Sequence, residues 1–474
     1  MLIGIDDTDS NEGMCTTYLA ALLADELKVF GNVVGFPYLI RLNPTIPYKT
    51  RGNAALGIEL DLFEENSETK EKVISFVAEK IKEYAELSCD KTNPGAVFIF
   101  DSINVNICDS LRRPLYEFYK KAVTDVIEIE EAFKLLNQIE SKFPNSVVHI
   151  SMKNGRGLIG SLAVCGAILN FNNDLSQKPA FQDLDFQKSS FQDLPFQDTS
   201  FQDFTFEYLA YRLPQNRGSN GGPIRFVDKE SLILADQMTT PETWDTIDFD
   251  KKTKPFPVCV PSGKDPVLFG IRGNSAGAVS KAAEYVVSEE IERSQIFKTN
   301  QGTDVHLIPV KSVSEMKPLH SYILKGFVHS KAETIEGGHD IFKLEDESGD
   351  ILVCAAFEPT GNFRHIIREL IPKDEIRVYG SFKNDTLNLE KIKILRLAED
   401  FKFDNPNCPI CGKRTESAGI GQGFRCKKCK TKTESKIEVS VPRKINLGYY
   451  EVPPSARRHL SKPLIRYSKD DLES

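Results

Sequence analysis

Two clusters of side chains in this 474-residue chain have the types and spacing that chemistry needs. The first is Cys408-Pro-Ile-Cys411, then fourteen residues, then Cys426-Lys-Lys-Cys429. Each CxxC knuckle puts two thiolates on one turn, and a hairpin between them returns the second pair, which makes a tetrahedral four-cysteine zinc site. All four positions are filled by protein, so the zinc is expected to be structural. A segment this short cannot bury a core of its own, so the metal supplies its folding energy. Arg425, Lys427, Lys428 and Lys430 flank the second knuckle, and Phe424 adds an aromatic face. Cations beside an aromatic on a rigid ribbon suit RNA phosphates and unstacked bases.

The second cluster is Asp6-Asp7-Thr8-Asp9-Ser10, followed by Gly13-Met14-Cys15-Thr16-Thr17. Carboxylates this close repel one another without a cation, and Mg2+ is the natural one, usually arriving with phosphate. The next helix starts near Gly13–Thr16, so its first N–H groups point at the same place, and Thr16 or Thr17 can offer a hydroxyl there. The same residues also suit a capping-rich turn, and composition leaves both readings open. Lys49, Arg51 and Asn53 before one strand, and Lys91 before another, place cations and amides at strand entrances. Gly155-Arg156-Gly157-Leu158-Ile159-Gly160 formally matches GxGxxG. A dinucleotide site needs an acidic residue about twenty positions on, at a strand end. Asp174 sits at that distance in a loop-like stretch, so NAD is rejected and a close backbone approach to some ligand is retained.

These clusters sit in a chain long enough for several domains. Apolar residues make up 40% and charged residues 27%, the balance of a globular protein. No run of eighteen apolar residues and no secretory leader is seen, so neither a membrane span nor export is expected. Six scattered cysteines and one cluster of four fit a reducing cytoplasm, not a disulfide framework. Net charge is −8, yet residues 408–474 hold fifteen Lys/Arg against seven Asp/Glu, a local balance of +8 that leaves −16 on the rest. An acidic body with a basic tail suggests that the tail meets a polyanion; a merely solvated terminus fits the charge as well.

The periodicity predicts strands at 2–5, 33–42, 54–62, 96–100 and 147–151. Helices are expected at about 14–28, 67–87, 111–123, 128–140 and 161–169. Phenylalanine then recurs every five residues from Phe181 to Phe206, mostly in an FQD unit. That period matches neither helix nor strand, so about 174–204 is expected to be a surface-loop insertion. Strands at 257–261 and 266–271 and a helix at 276–290 follow. Between 320 and 398, three strands, a short helix and two strands give the order of an OB-fold barrel.

With these motifs together, the chain resembles the archaeal tRNA 2-agmatinylcytidine synthetases, which act on the wobble cytidine of the minor isoleucine tRNA with anticodon CAU. The matching stretches include IGIDDTDS, GMCTTYLA, PYKTRGN, KTNPGAVF, GRGLIG, GIRGNS, the double-CxxC ribbon and YEVPPSARRHLSKPLIR, in order along nearly the whole chain. The resemblance implies a multidomain α+β and α/β architecture. A kinase-like catalytic domain spans 1–145, a ferredoxin-like domain carrying the insertion 146–300, an OB-fold 318–400, a zinc ribbon 405–435 and a basic tail 436–474. It implies an ATP-dependent C–N ligase in the cytoplasm, with no membrane partner. ATP phosphorylates the cytosine C2 oxygen, agmatine's amine attacks C2, and phosphate leaves. ATP ends as AMP plus phosphates, and decoding switches from AUG to AUA. Asp6, Asp7, Asp9 and Thr16 are the implied catalytic residues, with Mg2+ on Asp7 and Asp9, and Thr16 able to carry a phosphoryl group. Thr8, Gly13, Thr17, Lys49, Arg51, Asn53 and Lys91 are expected at the ATP phosphates. Phe424, Arg425, Lys427, Lys428, Lys430, Arg457 and Arg458 are expected at the tRNA. Two other classes stay open on the residues alone. A non-catalytic single-strand-binding protein leaves DDTDS unexplained, and a small-molecule kinase leaves the basic ribbon unexplained. ATP turnover that needs both tRNA and a diamine separates the three.

Overall fold

The computed structural model describes residues 1–11, 13–47, 52–100, 105–171, 204–214, 225–250 and 255–473. The FQD repeats fall outside these residues, as do Lys49 and Arg51.

A ten-stranded sheet forms the body. Its first half runs, in spatial order, Val147–Ser151, Gly95–Ile99, Leu2–Asp6, Ala54–Leu62 and Tyr38–Arg41, all neighbours antiparallel. Its second half continues through Arg293–Thr299, Thr205–Tyr211, Val267–Gly273 and Thr243–Trp244. The halves join at one parallel pairing, Lys298 opposite Tyr38 and Thr299 opposite Leu39.

Alternation along the strands sets the two layers. Ile3 and Ile5, with Leu56, Ile58, Leu60 and Leu62, pack under helices Thr16–Glu26 and Ser67–Tyr84. Leu2, Ala55, Val97 and Ile99 face helices Val105–Thr124, Ile129–Lys142 and Gly157–Phe171 on the other side. Strand Ala54–Leu62 lies where the sequence predicts it. The strand expected over 33–42 is split into Gly31–Val33 and Tyr38–Arg41, because Gly35 takes φ 66 and Pro37 has no N–H to give the ladder. Of the strand expected at 257–261, only Phe256–Pro257 pairs, between prolines. The helix expected to reach 290 ends at Glu284, and Ser288 instead bridges Val227. Val147–Ser151 pairs with Gly95–Ile99, and the helix after it packs on the first half of the sheet.

The barrel is a closed ring. His320–Val328 pairs with His339–Glu345, then Ile351–Ala356, Thr386–Arg396 and Glu375–Lys383, which returns to His320–Val328. Helix Phe363–Arg368 puts Phe363 and Ile367 into the barrel core. Beyond it, Asp400–Asp404 and Ile437–Val441 form a two-stranded arm, with the cysteine ribbon between them. The tail then comes back: Gly448–Glu451 adds a strand to the barrel. The basic tail expected over 436–474 thus packs onto the barrel and the sheet, and several of its cations are paired. Arg443 pairs with Asp374 at 2.6 Å, and Arg457 with Glu451 at 2.6 Å and with Asp245. Arg458 pairs with Glu390 at 3.1 Å. Among the described residues, no helix is long and apolar enough to cross a membrane.

Candidate active site and metal centre

The acidic loop leaves the end of strand Leu2–Asp6, and neighbours fix its shape. Asp7 takes φ 59, a conformation that Asp tolerates better than most residues. The Asp7 N–H donates to Asp6 Oδ1 at 2.7 Å. The loop before strand Gly95–Ile99 holds the rest: Asn93 N–H donates to Asp7 Oδ2 at 3.1 Å, and Thr92 Oγ1 donates to the Asp9 carbonyl at 2.7 Å. Burial, with Asp7 beside it, holds the Asp6 carboxyl well above the usual carboxylate range. Burial likewise pushes Asp7 up to about 6, against the pull of the Asn93 N–H. Acidic groups gathered where ionisation is costly make a set of hard oxygen donors that a divalent cation would relieve.

The glycine-rich turn serves this loop. A Cβ on Gly160 would lie 1.9 Å from Asp6 Oδ2, and one on Gly157 would lie 2.3 Å from Gly95 N and 2.7 Å from the Asp6 carbonyl. The close approach expected of GRGLIG is thus to the protein's own acidic loop. Helix Gly157–Phe171 starts inside the motif and lies directly against the strands.

Helix Thr16–Glu26 begins at the same place. Its cap residue, Cys15, is extended and makes no side-chain capping bond, and its first turn holds no acidic residue. The positive end of the helix dipole is therefore left for an anion. Thr8 Oγ1 donates to Thr16 Oγ1 at 3.1 Å and so orients that hydroxyl.

Asp6, Asp7, Asp9, Cys15, Thr16 and Thr17 line one cavity of about 300 Å³. Asn53 lines it as well, as do Arg41, Arg156, Glu207, Asp265, Arg272 and His459. Sequence spacing does not single out the last six of these. The GRGLIG, GIRGNS and YEVPPSARRHLSKPLIR motifs hold Arg156, Arg272 and His459; nothing local marks Glu207. Both halves of the sheet and the tail meet here. Arg272 Nε is 3.3 Å from Glu207 Oε1, its Nη1 3.6 Å from Asp245, and its Nη2 2.6 Å from His459 Nδ1. Three expected phosphate residues lie elsewhere. Thr8 is buried behind Thr16, Gly13 bridges Ser10, and Lys91 is exposed and does not line the cavity.

At the ribbon, the four cysteine sulfurs all lie within 4.8 Å of one another, and Cys411 and Cys426 are 3.6 Å apart. Thiolates about 2.3 Å from a tetrahedral zinc sit roughly 3.8 Å apart, so the donor set fits zinc. Arg425, Lys427, Lys428 and Lys430 are exposed around it. Phe424 is only 8% exposed, so the aromatic face expected there is turned into the ribbon. Arg457 is also unlike the expectation: its side chain is 5% exposed and is used by Asp245 and Glu451.

Known proteins share this arrangement over its full length. Residues 2–145 match the TiaS TCKD domain, 155–306 the TiaS FLD domain and 405–445 the TiaS C-terminal zinc ribbon domain. The isoleucine-tRNA 2-agmatinylcytidine synthetase TiaS of Methanosarcina mazei is 48% identical over 472 residues, covering 100% of this chain and 99% of that one. The chain belongs to the TiaS family of tRNA 2-agmatinylcytidine synthetases. Two crystal structures of the family are close in shape. The complex of TiaS with its isoleucine tRNA and ATP superposes with a TM-score of 0.79 at 42% identity, covering 99% of this chain and 98% of that one. The complex of TiaS with the same tRNA, AMPCPP and agmatine gives 0.77 at 40% identity, with the same coverage.

Proposed function

We infer that this protein uses ATP to join agmatine to C2 of the wobble cytidine of the minor isoleucine tRNA. The observation that carries the reading is the single cavity in which three aspartates, the Thr16 hydroxyl and an uncapped helix N-terminus meet. Its support is membership of a family with a solved complex that holds the isoleucine tRNA, AMPCPP and agmatine together. In the same reading residues 1–145 are the kinase-like catalytic domain and 146–300 the ferredoxin-like domain. The closed barrel, with each strand paired in the order 1-2-3-5-4-1, is an OB-fold.

The chemistry needs an activated C2, because a cytosine carbonyl is a poor electrophile and its oxygen a poor leaving group. Phosphorylating that oxygen solves both problems, and agmatine's amine then displaces phosphate. Asp7 and Asp9 would hold Mg2+, which would neutralise charge on the transferring phosphoryl group. Helix Thr16–Glu26 directs its N-terminus at the same phosphates. Glu207 and Asp265 also line the cavity, each already beside an arginine, and are acceptors of the kind a dicationic amine needs. The deciding experiment is mass spectrometry of the isoleucine tRNA anticodon after incubation with ATP, agmatine and the protein. An unmodified anticodon overturns the reading.

Two further results are expected. Thr16→Val keeps the volume and deletes the hydroxyl, so tRNA modification should fall by orders of magnitude; full activity would return Thr16 to a purely local role beside Thr8. Gly160→Ala would press a methyl group into Asp6. Thermal unfolding should show a loss of about 1–3 kcal/mol from overpacking. Modification should fall roughly 100-fold as the carboxylate moves. Unchanged turnover would mean that Asp6 is not held in its working position by that contact.

A further inference from the structure

The burial of Phe424 leaves the ribbon's cations without the aromatic partner expected beside them. The arm that carries the ribbon offers another. Strand Asp400–Asp404 exposes Phe401 by 48% and Phe403 by 65%. Two residues apart on one strand, they stand on the same face. Across the ladder Phe401 is opposite Ser440 and Phe403 opposite Glu438, both exposed, so that face is covered by nothing among the described residues. Asp400, Lys402 and Asp404 point to the other face, with Val439 and Val441, which are half-buried.

We propose that Phe401 and Phe403 form a stacking platform for unpaired bases of the substrate RNA, working with the cationic ribbon at the arm's tip. The proposal rests on the function inferred above and extends it to a surface. Spacing supports it. Side chains two apart on a strand are roughly 6.6–6.8 Å apart. That is twice the ~3.4 Å rise between stacked bases, so one base fits between the rings. Charge supports it too. Residues 405–436 hold eight Lys/Arg and two Asp/Glu. Lys427 pairs with Glu416 and Arg414 with Asp404, which leaves the segment strongly positive. A phosphate backbone lying along the ribbon would bring its bases to the arm. Glu438 is the acidic group on the aromatic face, so the phosphates belong on the ribbon and the bases on the rings. Stacking of this kind tolerates sequence because every base has a π-face.

The test uses the full-length, zinc-loaded protein and the minor isoleucine tRNA. Phe401→Ala and Phe403→Ala should each weaken tRNA binding at least about fivefold, the low end of what losing one base–aromatic stack costs. Tyr at either position should restore binding and Leu should not, which separates stacking from apolar contact. The salt slope should stay at its wild-type value, because every phosphate keeps its cationic partner. Phe401→Trp should show fluorescence quenching when tRNA is added, a readout that does not depend on the Ala variants folding well. Zinc content and melting temperature establish that the arm is intact. Binding within twofold of wild type in both Ala variants overturns the proposal. So does Leu performing as well as Tyr, or a change of oligomeric state in the Ala variants, which would mark a protein interface. If the wild type itself neither binds nor modifies the isoleucine tRNA, the inferred function fails instead.

Discussion

Asp7→Asn should abolish metal-dependent ATP cleavage, by on the order of 10²–10³-fold, the scale of removing one group that stabilises transition-state charge. The structure makes Asn a cleaner substitution than Ala. Residue 7 takes φ 59, which Asn accepts and Ala resists. Asn also keeps an acceptor for the Asn93 N–H that holds the loop. The change thus removes a charge without removing the fold. A companion effect has a definite sign in pH. Burial raises Asp7 from 3.8 to about 6, worth on the order of 3 kcal/mol against its ionised form. In the unfolded chain the group ionises at ordinary pH, so metal-free protein should lose stability as pH rises from about 4 through about 6. Mg2+ held there would compensate the ionised cluster, so its stabilising thermal shift should be larger at pH 7.5 than at pH 5 and should shrink in Asp7→Asn. ATP cleavage at the wild-type rate, or an Mg2+ shift independent of both pH and Asp7, would remove the aspartates from the metal site.

The part of this site that is legible in the sequence is its local part. DDTDS and the helix start at Thr16 are contiguous, so spacing alone brings them together. The rest depends on the sheet. Glu207, Arg272 and His459 reach the cavity only because Arg293–Thr299 pairs with Tyr38–Arg41 and fuses the two halves. Two strands of the second half at that joint carry no clear signal. Arg293–Thr299 has only Ile296 and Phe297 as large apolar residues. Thr205–Tyr211 follows directly on the phenylalanine repeat, and Phe206 belongs to both patterns. The barrel, by contrast, is legible in its element order, because its strands alternate and its turns carry Gly or Asn. Charge counting fails in an instructive way. Lys91 looks like the ligand of its loop, whereas the backbone N–H of Asn93 and the hydroxyl of Thr92 do the holding. Arg457 adds to the tail's positive balance, yet its charge is spent inside the protein on Asp245 and Glu451. Formal charge gives no sign of which cations are already paired.

Removing the ribbon alone should cost most of the affinity for tRNA and leave the cavity working. Cutting the chain after residue 404 would not test this. It would also strip the barrel strand Gly448–Glu451, the Arg457 ion pairs and His459 at the cavity. The arm offers a better cut. Asp404 and Ile437 are register partners, so replacing 405–436 with Asn-Gly closes a two-residue hairpin and returns the chain in register. The variant sheds eight Lys/Arg against two Asp/Glu and so exposes the acidic body to the polyanion. Every phosphate that goes without its cation should reduce the salt slope of binding by roughly 0.7–0.9. ATP binding should persist, because no cavity residue lies in the deleted segment. Cys426→Ser should reproduce the deletion, since a ribbon with three thiolates loses the metal that folds it. Lys427→Ala with Lys428→Ala should weaken binding and lower the slope while zinc content stays normal. Unchanged binding and modification in the deletion variant would leave tRNA capture to the barrel and the arm, and reduce the ribbon to an accessory.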